Sequence, residues 1–244
     1  MNKQTLEKMQ RMKLYGMHQA FKAVVEHHKD AELSPDELIS QLVDAEHDDR
    51  YNRKINRLLK MARFRYKAAL EDVSYDHGRN LDRNTLIRLG ECLYISNAEN
   101  ILITGSTGVG KSYIACALGI QACYQEHKVM YFNTSRLLSQ LKLAKADGSY
   151  VRAMRKLQKQ DLIILDDFGL QPINQQNSHI LLELVEDRYN LSSMIITSQI
   201  PVERWYELIE EKTLADAIMD RVVHHSHNIV LKGESMRKKM TKKK

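Results

Sequence analysis

Between Gly105 and Ser112 the chain reads GSTGVGKS, which fits the pattern G-x-x-x-x-G-K-[ST]. This is the spacing of a loop that wraps a chain of phosphates. Glycines let the backbone close around an anion without Cβ clashes, and successive N–H groups then point inward at the charge. The helix that should follow adds its positive N-terminal end. Gly105, Ser106, Thr107, Gly108, Val109, Gly110, Lys111, Ser112 and Tyr113 are therefore the expected nucleotide-binding residues. Lys111 would reach the β- and γ-phosphates, and the Ser112 hydroxyl would ligate Mg²⁺. A second stretch, DLIILDDFG, is an apolar run that ends in acids. In a parallel sheet such a run delivers Asp166 to the ligand end, where it would hold the same Mg²⁺. Asp167 is placed to polarise an attacking water, or else to cap the turn into FGLQPINQQ. In TSQIPVERW, Gln199 would emerge near the γ-phosphate as a sensor, the alternative being a strand-end amide in solvent.

The elements that must hold these groups alternate. Short apolar runs are expected as strands at about 101–104, 129–132, 162–166, 194–198 and 228–232, separated by helical patterns. That order implies βαβ units and a five-stranded parallel sheet between helices. Upstream the texture is helical. Apolar positions from Leu14 to Val25 predict an amphipathic helix over 6–28. Ser34, Pro35 and Glu37 make a capping box for a second helix reaching about residue 64. Its Tyr51, Ile55, Leu58, Leu59 and Ala62 share one side, with Arg50, Arg53, Lys54 and Arg57 opposite and Lys60 nearby. A basic stripe of this kind is either a solvated face or a phosphate contact. The expected organisation is a helical domain over 1–67, a nucleotide-binding domain over 68–237 and a basic tail over 238–244.

Composition narrows the classes. The 244 residues are 43% hydrophobic and 28% charged, as in soluble globular proteins, and the net charge of +6 favours an acidic partner such as nucleic acid. No apolar run suits a signal peptide or a membrane span, which leads us to expect a cytoplasmic protein. Cys92, Cys116 and Cys123 suit a reducing compartment as core thiols. His224, His225 and His227 lack an acid or cysteine at ligand spacing. A small-molecule kinase on the same loop would have no use for the basic residues.

Taken together, GSTGVGKS, LIILDDFG, TSQIPVERW and DRVVHHSHNIVLKGES, with DAEHDDRYNRKINRLLKMARFRY upstream, resemble the IstB family of transposition helper ATPases. The likeness to DnaC-type helicase loaders is more distant. The resemblance implies an AAA+ fold without a separate lid domain. It also implies ATP with Mg²⁺, self-assembly into a ring or helical oligomer on duplex DNA with little sequence preference, and recruitment of a transposase. A loader acting on single strands in replication is the alternative. Gly105, Gly110, Lys111 and Ser112 take the Walker A positions, and Asp166 the metal aspartate. Two departures stand out: Asp167 replaces the usual catalytic glutamate, and Gln199 replaces an asparagine. Arg221 aligns with the arginine finger that acts on a neighbouring subunit, with Arg237 as a rival. The resemblance also points to Arg136, Lys142, Lys145, Arg152, Arg155, Lys156 and Lys159 as a DNA path.

Overall fold

The computed structural model describes residues 2–26, 33–75 and 77–236. By compactness the chain forms two units, Met1–Arg57 and Leu58–Lys244.

In the first unit, α1 spans Asn2–Arg11 and α2 spans Tyr15–Glu26. The single helix expected over 6–28 is thus two helices. Lys13 adopts a left-handed φ of 60°, which ends α1, and residues 27 and 28 lie outside the described residues. The next helix, α3, runs Pro35–Ala62 and starts at the expected capping box. Ser34 N–H donates to Glu37 Oε2 at 2.8 Å and Glu37 N–H to Ser34 Oγ at 3.3 Å. Within the unit, Gly16 lies where any Cβ would meet the Ala45 carbonyl oxygen at 2.1 Å, so α2 can approach α3 only with glycine there. Buried Glu46 fixes that approach by accepting the amides of Gly16 and Met17 at 2.9 and 3.2 Å.

The second unit carries α4 (Arg83–Gly90), α5 (Leu93–Ser96), β1 (Asn100–Gly105), α6 (Lys111–Tyr124) and β2 (Val129–Asn133). It continues through α7 (Thr134–Ala146), α8 (Tyr150–Gln158), β3 (Leu162–Phe168), α9 (Gln175–Glu186) and β4 (Ser193–Ser198). The last elements are α10 (Trp205–Leu208), α11 (Lys212–Val223) and β5 (Ser226–Leu231). All five expected strands form; the last begins two residues earlier than its apolar run. They make one parallel sheet in the order β2-β3-β4-β1-β5.

Strand alternation decides which side chains meet. Ile163 and Leu165 of β3, with Leu102 and Ile196, join a large core under α7, α9 and α11 that includes Leu141, Leu184, Trp205 and Ile218. Ile164 points the other way, to within reach of Gly119 on α6. By the same period, Asp166 belongs to the α6 side, and so do Tyr131 and Thr197 on the flanking strands. Residues 64–70 lie over α6, with Phe64, Tyr66, Ala68 and Leu70 packed around Cys116 and Ala117. Arg188 is fully buried and holds the sheet's entry end: its guanidinium donates to the carbonyls of Leu157, Gln160, Asp161 and Ser193. Burial pulls its pKa down to about 10, so it stays charged at neutral pH. No helix among the described residues is long and apolar enough to cross a membrane.

Candidate nucleotide site

β1 ends at Gly105, the loop follows, and α6 begins at Lys111 with Gly110 as a left-handed N-cap that offers no side chain to the helix. The first amides of α6 therefore face the loop without a capping oxygen, which is how a helix end receives a phosphate. Lys111 is buried, and its Nζ donates to the carbonyls of Gly105 and Ser106 at 2.7 and 2.9 Å. Gly108 has φ of 87°, and a Cβ there would meet the Ser235 hydroxyl oxygen at 2.2 Å. The Met236 amide donates to the Gly108 carbonyl at 2.9 Å, so the segment after β5 is clasped onto the loop. From another side, buried Arg79 donates to the Val109 carbonyl at 2.7 Å. Tyr113 turns toward the 64–70 segment, where its hydroxyl accepts from Ala69 N–H at 3.4 Å.

Asp166 is completely buried and fully engaged. Its Oδ1 accepts from Ser112 Oγ at 2.7 Å and from Thr197 Oγ1 at 2.5 Å. Its Oδ2 accepts from the Tyr131 hydroxyl and from Arg65 Nη1, the latter at 3.2 Å. Burial, reinforced by the adjacent Asp166, pushes the Tyr131 phenol far up, so it remains a donor at any ordinary pH. β3 breaks register with β4 between Leu165 and Phe168, and Asp167 in that bulge has φ of 59°. The irregularity turns Asp167 out of strand alternation and sets both acids side by side. Asp167 Oδ2 accepts from Asn133 Nδ2 at 3.3 Å and from Arg65 Nη1 at 3.4 Å, while its amide donates to Thr197 Oγ1 at 3.2 Å. Gln199 joins the loop directly, its Oε1 accepting from Thr107 Oγ1 at 2.5 Å.

A hydroxyl and a carboxylate 2.7 Å apart beside a phosphate loop form an all-oxygen donor set. Such a set fits Mg²⁺, which keeps several waters and takes its other ligands from phosphates. Ser112 and Asp166 would hold it.

Sequence reasoning thus located the loop, both acids and Gln199, which the fold assembles. It missed Arg65, Arg79, Tyr131, Asn133 and Thr197. Thr197 had a readable signal, since it lies at the end of the fourth apolar run, two residues before Gln199.

A family model described as IstB-like ATP binding protein matches residues 7–244. The chain belongs to the IstB-like ATP-binding family. Relatives named as insertion sequence ATP-binding proteins include one from Sinorhizobium fredii, 44% identical over 98% of both chains. That of IS1162 from Pseudomonas fluorescens is 40% identical, over 82% of this chain and 87% of the relative. That of IS21 from Pseudomonas aeruginosa is 30% identical over 96% and 89%. Among solved structures, the DnaC helicase loader superposes with a TM-score of 0.57 at 20% identity, covering 68% of this chain and 98% of the loader. AMPPCP-bound DnaA from Aquifex aeolicus gives 0.60 at 18%, over 74% and 55%. These likenesses show that the IstB-like chain shares its fold, a parallel sheet between helices, with those proteins.

The IstB-like chain keeps Arg221 away from its own phosphate loop. Asn100, at the start of β1, donates to the carbonyls of Arg221 and Val222 at 3.5 and 3.1 Å, whereas the loop leaves the far end of that strand. The separation along β1 is roughly 17 Å by strand rise. Arg221 bonds the Ala217 carbonyl at 2.8 Å and Glu186 at 3.0 Å, and lies over the Tyr189 ring. Arg237 and the basic tail fall outside the described residues. His224 pairs with Asp220 and His227 with Glu99.

The basic candidates differ in their surroundings. On α3, Arg50 pairs with Glu46 at 2.6 Å and Arg53 with Asp49 at 2.7 Å, Arg57 is exposed, and Lys54 is half-buried. On α7, Arg136 and Lys142 are exposed, while Lys145 bonds Glu183 at 3.0 Å. Arg152, Arg155, Lys156 and Lys159 line one open depression of about 580 Å³ with Gly148 and Val151. None of these four has an acidic partner among the described residues.

Proposed function

We propose that this chain hydrolyses ATP with Mg²⁺, assembles on duplex DNA in the ATP-bound state, and delivers a transposase to that DNA. The observation that carries the hydrolytic part is the paired acids. Asp166 is locked by four donors, Ser112 among them, and Asp167 is turned out of the strand next to it. When bound, the metal would neutralise charge on the β- and γ-phosphate oxygens. Asp167 would orient and polarise the attacking water, and Gln199, tied to Thr107, would register the γ-phosphate. Asp167 is one methylene shorter than glutamate, which favours slow turnover raised by DNA or partner. Arg221 lies a strand's length from its own loop, as suits a residue that completes a neighbour's site.

The DNA part rests on the four cations around Gly148, which have no acidic partner among the described residues and offer phosphate contacts without base reading. Arg50, Arg53, Lys54, Arg57, Lys142 and Lys145 remain candidates, although Arg50, Arg53 and Lys145 must first leave acids of their own chain. The transposase is proposed from the insertion-sequence relatives.

Sedimentation of the full chain with random duplex DNA, with and without a non-hydrolysable ATP analogue, tests the reading. Large DNA-bound assemblies should appear only with the analogue and should dissolve steeply as salt rises. Equal particle size in both conditions would overturn assembly. Single strands competing better than duplex would move the chain to helicase loading.

A further inference from the structure

An ionised carboxylate offers about four acceptor positions. At Asp166 all four are taken, by Ser112, Thr197, Tyr131 and Arg65. A hydrated cation can use this carboxylate only by displacing one of these donors. Ser112 need not leave, because its oxygen can face a metal while its proton stays on Asp166. Thr197 is fully buried and is also held by the Asp167 amide. Tyr131 is packed into the cluster on the α6 side. Arg65 is different: its side chain is 43% exposed, and it reaches Asp166 from an irregular segment, not from the sheet. The same Nη1 also spans to Asp167, so its departure would release both acids at once.

We propose that Arg65 is a displaceable positioning residue: it pairs with Asp166 and Asp167 until Mg²⁺ enters with nucleotide, and the metal then drives it off. The inference rests on the metal reading of Ser112 and Asp166. It makes Arg65 and the metal competitors for Asp166 Oδ2, and it makes Asp167 available for chemistry only after the metal has arrived. The released guanidinium stays beside the Tyr66 ring, over which it already lies at 5.4 Å, so the segment between α3 and the α6 cluster changes with metal loading.

The test uses the full chain with ADP, in EDTA or with Mg²⁺. The motion of the Arg65 Nε–H vector is read by NMR relaxation and assigned with Arg65→Lys. It should be rigid in EDTA and mobile with Mg²⁺. The Mg²⁺ concentration needed to load the ADP complex is read by calorimetry. It should fall about five- to tenfold in Arg65→Ala, the scale expected on removing a half-exposed cation from a carboxylate. It should stay near wild type in Arg65→Lys. Unchanged ADP affinity in EDTA shows that the loop of each variant is folded. An Arg65 that stays rigid with Mg²⁺, or an Arg65→Ala protein that loads metal no more readily, overturns the inference while leaving the metal site standing. If Mg²⁺ does not bind the wild-type ADP complex, the metal reading falls and this inference falls with it.

Discussion

Thr197 is the hidden support of the site, and Thr197→Val isolates its contribution. The two side chains are nearly equal in volume, so the change opens no cavity. It deletes a hydroxyl that donates to a fully buried carboxylate at 2.5 Å and accepts the Asp167 amide at 3.2 Å. A hydrogen bond to a charged group is worth about 1.5–3 kcal/mol, and stranding a part-buried amide adds about 1 kcal/mol. The loss should therefore be about 2.5–4 kcal/mol, which for a unit of this size lowers Tm by about 5–15 °C. Thermal and urea unfolding of wild type, Thr197→Val and Thr197→Ser would measure it. Serine keeps the hydroxyl and should recover most of the loss. A valine protein within about 1 kcal/mol of wild type, or a serine protein as unstable as the valine one, would refute the assignment.

Asp167→Asn keeps size and the Asn133 neighbourhood but loses the charge, so ATP should still bind while phosphate release slows by about 10²-fold or more; unchanged turnover would make Asp167 a turn residue only. Arg221→Ala should bind ATP normally and hydrolyse it poorly, and mixing it with Lys111→Ala should restore part of the activity, because each supplies what the other lacks. Full activity of Arg221→Ala alone would remove it as a finger. Burial alone would raise the Glu46 pKa, but Arg50 and the amides of Met17 and Gly16 more than offset this and hold it below its usual 4.5. The folded-state value is thus the lower one, so the stability Glu46 gives the first unit is full above about pH 4.5 and lost as pH falls further. Hydrogen exchange in residues 2–26 should accelerate in that window for wild type, and Glu46→Gln should flatten the response; the same acid transition in both would sink the idea.

The phosphate loop and the acid-ended strand were legible because their chemistry is local: contiguous residues carry both the turn and the reactive groups. The residues that lock the acids come from elsewhere. Arg65 lies 101 positions from Asp166, and Tyr131 lies 35 away in a run that reads only as a half-buried strand. Their types are ordinary; the sheet order brings Tyr131 to that side chain, and the packing of residues 64–70 over α6 brings Arg65. The bulge at Asp167 was invisible for a related reason. Its acid follows Asp166 in an unbroken apolar strand, and nothing in the pattern marks a register break. On α3 the basic stripe read as either a solvated face or a phosphate contact, and the acids that Arg50 and Arg53 touch, Glu46 and Asp49, lie one turn away. The break at Lys13 likewise carries no glycine or proline to announce it.

The clasp between Met236 and Gly108 makes the phosphate loop a mechanical terminus. The chain leaving the edge strand β5 is tied at this point to the Gly108 carbonyl, in the middle of the loop expected to close around phosphates. The end of the described chain and the loop are thus one hydrogen-bonded unit, and a change of loop shape at Gly108 is felt at Ser235 and Met236.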